Sequence, residues 1–583
     1  MASGTLRILP CVAHALLRAG PRGHPRLSGT QAKLNVSSAG SFRLRRFLFL
    51  SLYSLMAVAA ALLAIRLVVG PFRSGLVTVN SPVNAGAAVA VSFVLLALIA
   101  AKNPAGPLPE SCTARALPRP VWVDLTVLVA ATALAFWRNL GSPFVYDDYG
   151  HIVQTSHATW RILADAFQRE PGGHGLFFRP VGFISYWLDY RWAGGHAVRW
   201  HLWSLAAHAA NTCLVYLLVR RLGMRRAAAL VAALLFALHG SRAETVAWTD
   251  ARFDLLATFF VLCAMLAVLE HCCTSRRVFY VPLAVCAALA VYTKESAFCL
   301  PLLPVALLPC LPRAQWRRAI AASLALGSVC AVLFAYRWWA LGGIGGYADR
   351  TGVSAVWHSR PLHTSEALFF RQWAFLFLPV NWSVPLEWWL RAAAAGFLAM
   401  LAACAARGGT WLGSRARLLA GLAFLLAAVT PVQHLLMFQP DFAGARILYL
   451  PLAGLAIFWA ALMERSAESK LTWAMAAVLI AFNVAALEHN LQPWRTTPAA
   501  AAAACRALGR ELAKDPRPAF VSGLPERLQG AYFLSNGFPE CVEMNSGQPA
   551  ARVHVVGGTS ESVPPNARRF VWNQEQGRLE ERR

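Results

Sequence analysis

Charged side chains are scarce in this sequence. They make up 14% of its 583 residues, while apolar residues make up 57%; a soluble domain usually carries about 25% charged residues. Since one membrane crossing takes roughly 20 apolar residues, the long hydrophobic runs supply about a dozen crossings. This composition excludes a soluble globule and also a soluble enzyme with a single anchor. It predicts an all-α polytopic membrane protein.

Acidic residues are the scarcer of the two charge types. There are 28 Asp and Glu against 54 Lys and Arg, which gives a formal net charge of +26. In a membrane protein such an excess is typical of cytoplasmic loops and of contacts with anionic lipid headgroups. We therefore expect the lipid bilayer as a partner and no nucleic acid.

Cysteine motifs and a signal peptide are also missing. None of the 13 cysteines belongs to a CxxC pair, and most lie in apolar runs, where a thiol behaves as a small apolar group. We therefore expect no disulfide framework. Residues 1–42 are basic and rich in Gly, Ser and Pro, so we expect no cleavable signal peptide there. This composition predicts a disordered cytoplasmic N-terminus.

The membrane topology follows from the Arg-rich turns, which favour the cytoplasmic side. The densest of them lies at 220–226. The alternation predicts two extra transmembrane helices within 43–120 and a main transmembrane domain over 121–490, which includes a long outer segment at 139–199. About thirteen crossings result, which places the C-terminus outside. They are expected at 47–69, 85–101, 121–137, 200–219, 227–239, 254–271, 278–293, 297–311, 319–340, 388–406, 417–437, 447–463 and 471–488.

Two segments differ from plain membrane helices. The amphipathic stretch 366–382 contains Arg371 and is expected to lie along the outer face of the membrane or to re-enter it. Residues 491–583 have the composition of a soluble domain, which predicts a small extracytoplasmic α/β domain. Its expected elements are a helix at 498–514 and strands at 519–523, 553–558 and 568–572.

Two of the expected helices are too short to cross the membrane. The run from Arg226 to His239 gives about 20 Å of helix and the run that ends at Lys294 about 26 Å, against a hydrocarbon core of about 30 Å. Charges follow both helices, including Glu244 and Glu295, and irregular charged backbone at membrane depth is tolerated where it lines a cavity. The sequence therefore predicts a polar chamber open to the outer leaflet. Alternatively, these charges reach the headgroups or simply end the helices.

Candidate catalytic carboxylates lie in the 139–199 segment. Asp147 and Asp148 are adjacent and follow an expected membrane helix, where a carboxylate can act as a general base or a metal ligand. An Asp-Asp pair is equally common in turns and at helix N-termini. Arg446 lies at the outer mouth of a later span, where a guanidinium either binds a phosphate or anchors the helix at the interface.

The polar motifs follow one another in a characteristic order. The motifs are Phe144…Asp147-Asp148, Phe178-Arg179-Pro180, His208…Asn211, Phe236-Ala-Leu-His239…Glu244-Thr-Val-Ala-Trp248…Arg252…Asp254, Thr293-Lys294-Glu295 and Arg446…Tyr449-Leu-Pro451. This order resembles the GT-C superfamily of membrane glycosyltransferases, in particular the transmembrane O-mannosyltransferases with tetratricopeptide repeats and their bacterial relatives. The resemblance covers about 121–490. The sequence departs from the family in having Gly240 where Pro is common and in carrying no repeat array.

The resemblance implies a glycosyltransferase with a GT-C-like fold. Its donor would be a polyprenyl phosphate-linked sugar in the outer leaflet, and its acceptor an extracytoplasmic protein or glycan, with transfer by inversion. An essential acid is implied at Asp147 or Asp148, and we expect Asp147 to be the base. The residues implied for the donor phosphate are Lys294, Arg252 and Arg446, and those implied for the cavity and acceptor are His239, Glu244, Arg179 and Glu295.

No cofactor is expected for this chemistry. A polyprenyl phosphate leaving group needs no metal, so a divalent ion is compatible with the site but not expected to be required. We expect a multi-pass protein of the bacterial inner membrane, acting on the cell envelope. Two other functions are open: a transporter or flippase of lipid-linked sugars, which usually shows internal repeats and paired broken helices, and a scaffold, which leaves the buried charges unexplained.

Overall fold

Long apolar helices dominate the computed structural model, which describes residues 29–74, 77–79, 82–101, 121–168, 177–346, 361–407, 414–436, 439–464, 469–556, 564 and 567–582. Within these residues nine helices are long and apolar enough to cross a bilayer, and four apolar helices are shorter. The long ones are Leu44–Val69, Pro82–Ala100, Val121–Asn139, Ala197–Arg221, Thr249–Thr274, Arg313–Leu341, Trp388–Arg407, Arg415–Leu435 and Lys470–Lys514. A polytopic helical membrane protein is thus confirmed, while the count of about thirteen crossings stays a prediction.

The first part of the chain is almost entirely helical. Its elements are α1 (Gly29–Val69), β1 (Phe72–Ser74), β2 (Val77–Val79), α2 (Pro82–Ala100), α3 (Val121–Phe136), α4 (Asp147–Ser156), α5 (Ile162–Asp165), α6 (Pro180–Ala193), α7 (Ala197–Arg221), α8 (Arg226–Leu238), α9 (Arg242–Ala247), α10 (Arg252–Thr274), α11 (Tyr280–Val291), α12 (Leu303–Ala306) and α13 (Arg313–Leu341). Short 3₁₀-helices lie at Trp137–Asn139, Thr249–Ala251, Arg277–Phe279, Glu295–Leu302 and Leu308–Cys310. The N-terminal helix begins within the 1–42 segment expected to be disordered, and residues 1–28 lie outside the described part of the chain.

The second part adds helices and a small sheet. Its elements are α14 (Pro361–Glu366), α15 (Gln372–Phe377), α16 (Trp388–Arg407), α17 (Arg415–Val429), α18 (Pro451–Met463), α19 (Lys470–Leu491), α20 (Pro493–Lys514), β3 (Ala519–Ser522), β4 (Arg527–Leu528), β5 (Ala531–Tyr532), α21 (Phe538–Ser546), β6 (Val553–Val556), β7 (Arg568–Asn573) and β8 (Arg578–Arg582). A π-helix at Ala367–Arg371 joins α14 to α15, and 3₁₀-helices lie at Thr430–Leu435, Ala445–Leu448 and Ala550–Arg552.

Both short helices predicted from the sequence are present. The first, α8, has 13 residues and ends one residue before His239, and α11 ends at Val291, before Lys294. Every residue from 235 to 249 is buried, so the charges after α8 lie inside the protein and not in lipid. The backbone after α8 is therefore enclosed by other elements, as irregular backbone at membrane depth requires.

The crossing expected at 297–311 is wrong as a regular helix. The chain forms two 3₁₀-helices there, on either side of the four-residue α12. Pro301, Pro304 and Pro309 each lack the N–H that an α-helix needs, and each ring clashes with the preceding turn. Hydropathy alone does not register this, because proline leaves the run apolar.

The 366–382 stretch is buried in its second half. All six residues of α15 are buried, and the ring of Phe377 lies 6.0 Å from that of Phe93 on α2. A helix lying along the membrane surface would expose one face to water or headgroups. The burial of α15 against a membrane helix favours the re-entrant alternative.

The C-terminal module, residues 493–582, contains the sheet expected from the sequence. Its strand order is β6-β3-β7-β8, with β3 parallel to both neighbours and β8 antiparallel to β7. The helix α20 buries Ala501, Cys505, Leu508 and Leu512, which recur at the spacing of one helix face. The strand β8 and the β4–β5 pair were not expected.

A disulfide within this module corrects a sequence expectation. Cys505 of α20 and Cys541 of α21 are bonded, with their Cα atoms 5.9 Å apart. The two residues are 36 positions apart, and only the packing of α20 on α21 brings them together. The expectation of no disulfide framework is therefore wrong for the C-terminal module.

The C-terminal module packs on the 139–199 segment through a common hydrophobic core. Phe144 and Tyr149 of that segment belong to the same buried cluster as Phe533 and Phe538 of the module. Full burial of one large apolar side chain contributes about 1.5–3 kcal/mol, so several such residues hold the two parts together firmly. This shared core places residues from opposite ends of the sequence around one cavity.

Candidate active site

A cavity of about 1010 Å³ lies where the 139–199 segment, the ends of the membrane helices and the C-terminal module meet. The two short helices predict a polar cavity, and the structure has one. Five of the sequence candidates line it: Asp147, Arg179, Lys294, Glu295 and Arg446.

Asp147 is the half-buried first residue of α4. The preceding Tyr146 has a φ of 50°, an unfavourable region for a side chain of this size, and this turn points the start of α4 at the cavity. The amide of Asn536 donates a hydrogen bond to Asp147 Oδ1. Burial, together with the charge of Asp250, raises the pKa of the Asp147 carboxyl to about 6. A carboxyl with this pKa is mostly ionised at neutral pH and can still accept a proton, as a general base must.

Asp148 has different surroundings from its neighbour. It is 1% exposed and accepts hydrogen bonds from the backbone N–H of Val145, at 3.1 Å, and of Asp250, at 2.8 Å. Burial raises the pKa of its carboxyl well above the ordinary value. It is not part of the cavity lining, so it links α4 to the turn at Asp250 and does not face a substrate.

A second acid–base group adjoins Asp147. His151 Nδ1 lies 2.7 Å from Asp250 Oδ1, and the hydroxyl of Tyr186 donates to the same oxygen at 2.8 Å. Burial lowers the pKa of the imidazole, but the Asp250 carboxylate more than offsets this and the net shift is upward. His151 and Asp250 lie 99 positions apart in the sequence, so no local spacing predicts the pair.

Lys294 and Glu295 each meet an opposite charge. Lys294 Nζ lies 2.5 Å from Asp254 Oδ2. The guanidinium of Arg179 donates to Glu295 Oε2 through Nε at 3.1 Å and Nη2 at 2.8 Å, and Arg337 Nη2 lies 3.5 Å from the other oxygen. Arg179 thus fixes the position of Glu295. The ammonium of Lys294 has three N–H donors, and one of them is directed to Asp254.

Arg446 lies among aromatic rings and a buried carboxylate. Its Nη1 donates to Glu244, which is 3% exposed, and to the Tyr532 hydroxyl at 3.0 Å. Its guanidinium carbon lies 4.9 Å from the centre of the Trp248 ring. Glu244 is therefore behind Arg446 and fixes its position, while Arg446 itself lines the cavity.

Two further candidates lie elsewhere. Arg252 pairs with Asp189 and sits 4.4 Å from the Tyr186 ring centre, and His239 is bonded to Ser241 Oγ and to a backbone carbonyl, both at 2.9 Å. Neither residue belongs to the cavity lining. The sequence motif puts Arg252 beside the charged cluster, but its guanidinium packs on the rings of Tyr186 and Trp200.

The C-terminal module supplies part of the cavity wall. Glu526, Arg527, Tyr532 and Asn536 all line it, and Arg527 also pairs with Asp441 at 3.1 Å. Sequence reasoning missed these residues. The pair Asn536-Gly537 is typical of a turn, but no local signal connects it with Asp147, which lies 389 positions away.

The cavity also has an apolar part. Membrane helices and their ends contribute Phe298, Phe334, Val432, Leu435 and Ile447 to the lining. A cavity lined by both charged groups and apolar side chains can bind a molecule that has a polar head and a hydrocarbon tail. In the part of the chain that the structure describes, no three His, Cys, Asp or Glu side chains cluster as metal ligands.

Comparison with curated proteins finds similarity over one part of the chain. Protein O-mannosyl-transferase Tmtc1 of Drosophila melanogaster is 33% identical over 160 residues, which cover 25% of this chain and 18% of the relative. Protein O-mannosyl-transferase TMTC4 of Homo sapiens is 29% identical over 169 residues, covering 25% of this chain and 23% of the relative. The chain thus spans less than a quarter of the length of the relatives it matches. The resemblance to these enzymes expected from the motifs is confirmed over that stretch.

Comparison with solved structures gives more distant similarities. ArnT from Cupriavidus metallidurans bound to undecaprenyl phosphate aligns with 78% of this chain and 93% of its own, at 15% identity and a TM-score of 0.36. The oligosaccharyltransferase of Archaeoglobus fulgidus, tethered to an acceptor peptide, aligns with 76% of this chain and 64% of its own, at 12% identity and a TM-score of 0.38. No protein-family model matches the sequence.

Proposed function

We propose that this protein is a membrane glycosyltransferase that moves a sugar from a polyprenyl phosphate donor to an acceptor hydroxyl. The observation that carries the proposal is the single cavity in which Asp147 and Lys294 lie together with apolar side chains of the membrane helices. The apolar part suits a polyprenyl chain, the ammonium suits a phosphate, and the carboxylate suits an acceptor proton. The similarity to proteins named O-mannosyl-transferases supports the same reaction class.

The proposed reaction is a single displacement. The acceptor oxygen attacks the anomeric carbon, the bond from that carbon to the phosphate oxygen breaks, and polyprenyl phosphate leaves with the electron pair. The acceptor proton passes to Asp147. One displacement inverts the anomeric configuration, and a positioned base of this kind contributes about 10²- to 10⁴-fold to the rate.

Stabilisation of the leaving phosphate is assigned to Lys294 and Arg446. Lys294 directs one donor to Asp254 and has two more for a ligand in the cavity. Arg446 is positioned from behind by Glu244. Fixed cations in a site that excludes water stabilise developing negative charge without reorganisation. Arg252 takes no part in this proposal, because it pairs with Asp189 outside the cavity lining.

Two independent features support an outer location for the site. The Arg-rich turns favour the outer side for the cavity and the C-terminal module, and the Cys505–Cys541 disulfide in that module suits an oxidising compartment. We propose a multi-pass protein of the bacterial inner membrane that acts on its outer face. Because the relatives are named protein O-mannosyl-transferases, mannose is the first sugar to test and a protein the first acceptor.

The test is reconstitution of the full chain into liposomes with radiolabelled polyprenyl phosphate sugars, mannose first, and a mixture of peptide and glycan acceptors. Labelled acceptor and free polyprenyl phosphate should form in equal amounts, and the same reaction in EDTA tests the expectation that no metal is needed. The matched control is the Asp147→Asn variant, which keeps the shape of the side chain but cannot accept the proton.

The alternative of a flippase gives a different result in the same liposomes. A flippase would move labelled donor between leaflets without consuming it. The donor would then stay intact with the parent protein and with the Asp147→Asn variant alike. Donor movement without any labelled product would refute the glycosyltransferase proposal.

A further inference from the structure

The segment 526–537 of the C-terminal module is built into the cavity. The backbone N–H of Tyr146 donates to the Phe533 carbonyl at 3.0 Å, and the side-chain amide of Asn381 donates to the Gln529 carbonyl at 2.7 Å. These bonds attach the segment both to the turn before α4 and to the loop after α15. The segment is therefore fixed relative to Asp147.

The fit around Gly537 is especially close. Its φ is +74°, and a Cβ added there would lie 2.2 Å from the Tyr146 carbonyl oxygen. A side chain at this position would both strain the backbone and push the module away from α4. The glycine thus permits its neighbour Asn536 to reach Asp147.

The side-chain amide of Asn536 has a determined orientation. Its Oδ1 accepts from the backbone N–H of Gly537 at 3.1 Å, so its Nδ2 is the group that faces Asp147 and donates to Oδ1 of that carboxylate. With Oδ1 held, Oδ2 of Asp147 is the oxygen presented to a ligand. The bond therefore selects both the rotamer of the carboxylate and the atom that would take a proton.

We infer that Asn536 is a positioning residue for the Asp147 base and that the C-terminal module completes the active site in this way. This inference rests on the proposed function, because it assigns Asn536 its role through the base of that reaction. The module is then a part of the catalytic machinery and not an appended domain.

The inference has a signature in the pH profile. The groups that face Asp147 are Asp250, whose charge raises its pKa, and His151 and Arg446, which lower it, as does the hydrogen bond from Asn536. Asp148 follows it in the chain and is present in every variant. Losing one hydrogen bond to the ionised form should move the acid limb of kcat/KM upward by about 0.5–1 pH unit.

The experiment compares three full-length variants with the parent protein. In Asn536→Ala the acid limb should move upward by about 0.5–1 pH unit, and kcat at pH 7 should fall at least about twofold, because less base is ionised and the carboxylate is less well held. Asn536→Asp adds a like charge and should move the limb further, and this variant serves if Asn536→Ala does not fold. The control Asn545→Ala lies in the same module, bonded to the Cys541 carbonyl, and should keep the parental profile.

If the acid limb of kcat/KM lies at the same pH in both Asn536 variants as in the parent protein, the inference is wrong while the proposed function stands. If the parent protein transfers no sugar at all, the proposed function fails, and unfolding temperature against pH becomes the readout. Because the folded-state pKa of Asp147 is raised, its ionisation costs stability as the pH rises from about 4 to about 6. Asn536→Ala should extend this loss to higher pH in the parent background and not in Asp147→Asn. Equal profiles in both backgrounds would refute the role of Asn536.

Discussion

The rate of sugar transfer should depend on pH through Asp147. Burial and the Asp250 charge raise the pKa of this carboxyl from 3.8 to about 6. A base with a pKa of 6 is ionised in about one molecule in eleven at pH 5 and in about ten in eleven at pH 7, so kcat/KM should rise about tenfold over that interval. A carboxyl with its ordinary pKa would already be about nine-tenths ionised at pH 5 and would give a nearly flat profile.

The assay is the initial rate at subsaturating donor, measured between about pH 5 and pH 8. Asp147→Asn should remove the acid limb and lower the rate at pH 7 by about 10²- to 10⁴-fold. Asp165→Asn is the matched control, because Asp165 lies in the same 139–199 segment, is exposed, and its carboxylate accepts a hydrogen bond from the side chain of Gln168. A limb that persists in Asp147→Asn would mean that another group, such as His151, sets the profile, and it would refute the assignment of the base.

Three further predictions concern stability and topology. Replacing Arg446 with Ala removes the cation that pairs with the buried Glu244 and keeps the neutral backbone N–H of residue 446 as a donor, so the free energy of unfolding should fall by about 3–5 kcal/mol, and by less with Lys; equal thermal unfolding of both variants and the parent would contradict this. Asp148→Asn weakens the acceptor of two backbone N–H groups and should cost about 1–3 kcal/mol, with a smaller loss of turnover than of stability; a stable but inactive variant would speak for direct catalysis. An Ala513→Cys variant, changed at an exposed position of the module, should react with an impermeant maleimide from outside intact cells; reaction confined to lysed cells would place the module in the cytoplasm.

The membrane helices could be predicted because a single physical requirement defines them. A bilayer crossing needs a long apolar run, and the runs at 200–219 and 319–340 lie within α7 and α13. The prediction of a regular helix failed at 297–311, where backbone hydrogen bonding and not side-chain polarity decides the structure. The prolines of 297–311 keep the run apolar and still prevent a regular helix.

The candidate site could be predicted only in its local parts. Charges that follow a short helix indicate a cavity whatever the rest of the fold, and Lys294 and Glu295, which follow α11, do line it. The direction of a single side chain is a tertiary property, so the expectation of Asp147 over Asp148 had no physical basis in the sequence, although Asp147 is the one that lines the cavity. The contact of Asn536 with Asp147 could not be predicted from the sequence, because it depends on how the whole module packs.

The last membrane helix and the first helix of the C-terminal module run almost without interruption from Lys470 to Lys514, a length of 45 residues or about 67 Å. Helical geometry fixes the angle between the two ends of such a segment. One residue inserted near Gln492, where α19 meets α20, would turn everything beyond it by about 100° and carry Asn536 away from Asp147. Seven inserted residues would restore the angle but lift the module by about 10 Å. The contact between Asn536 and Asp147 therefore requires both the length and the helical phase of the segment from Lys470 to Lys514.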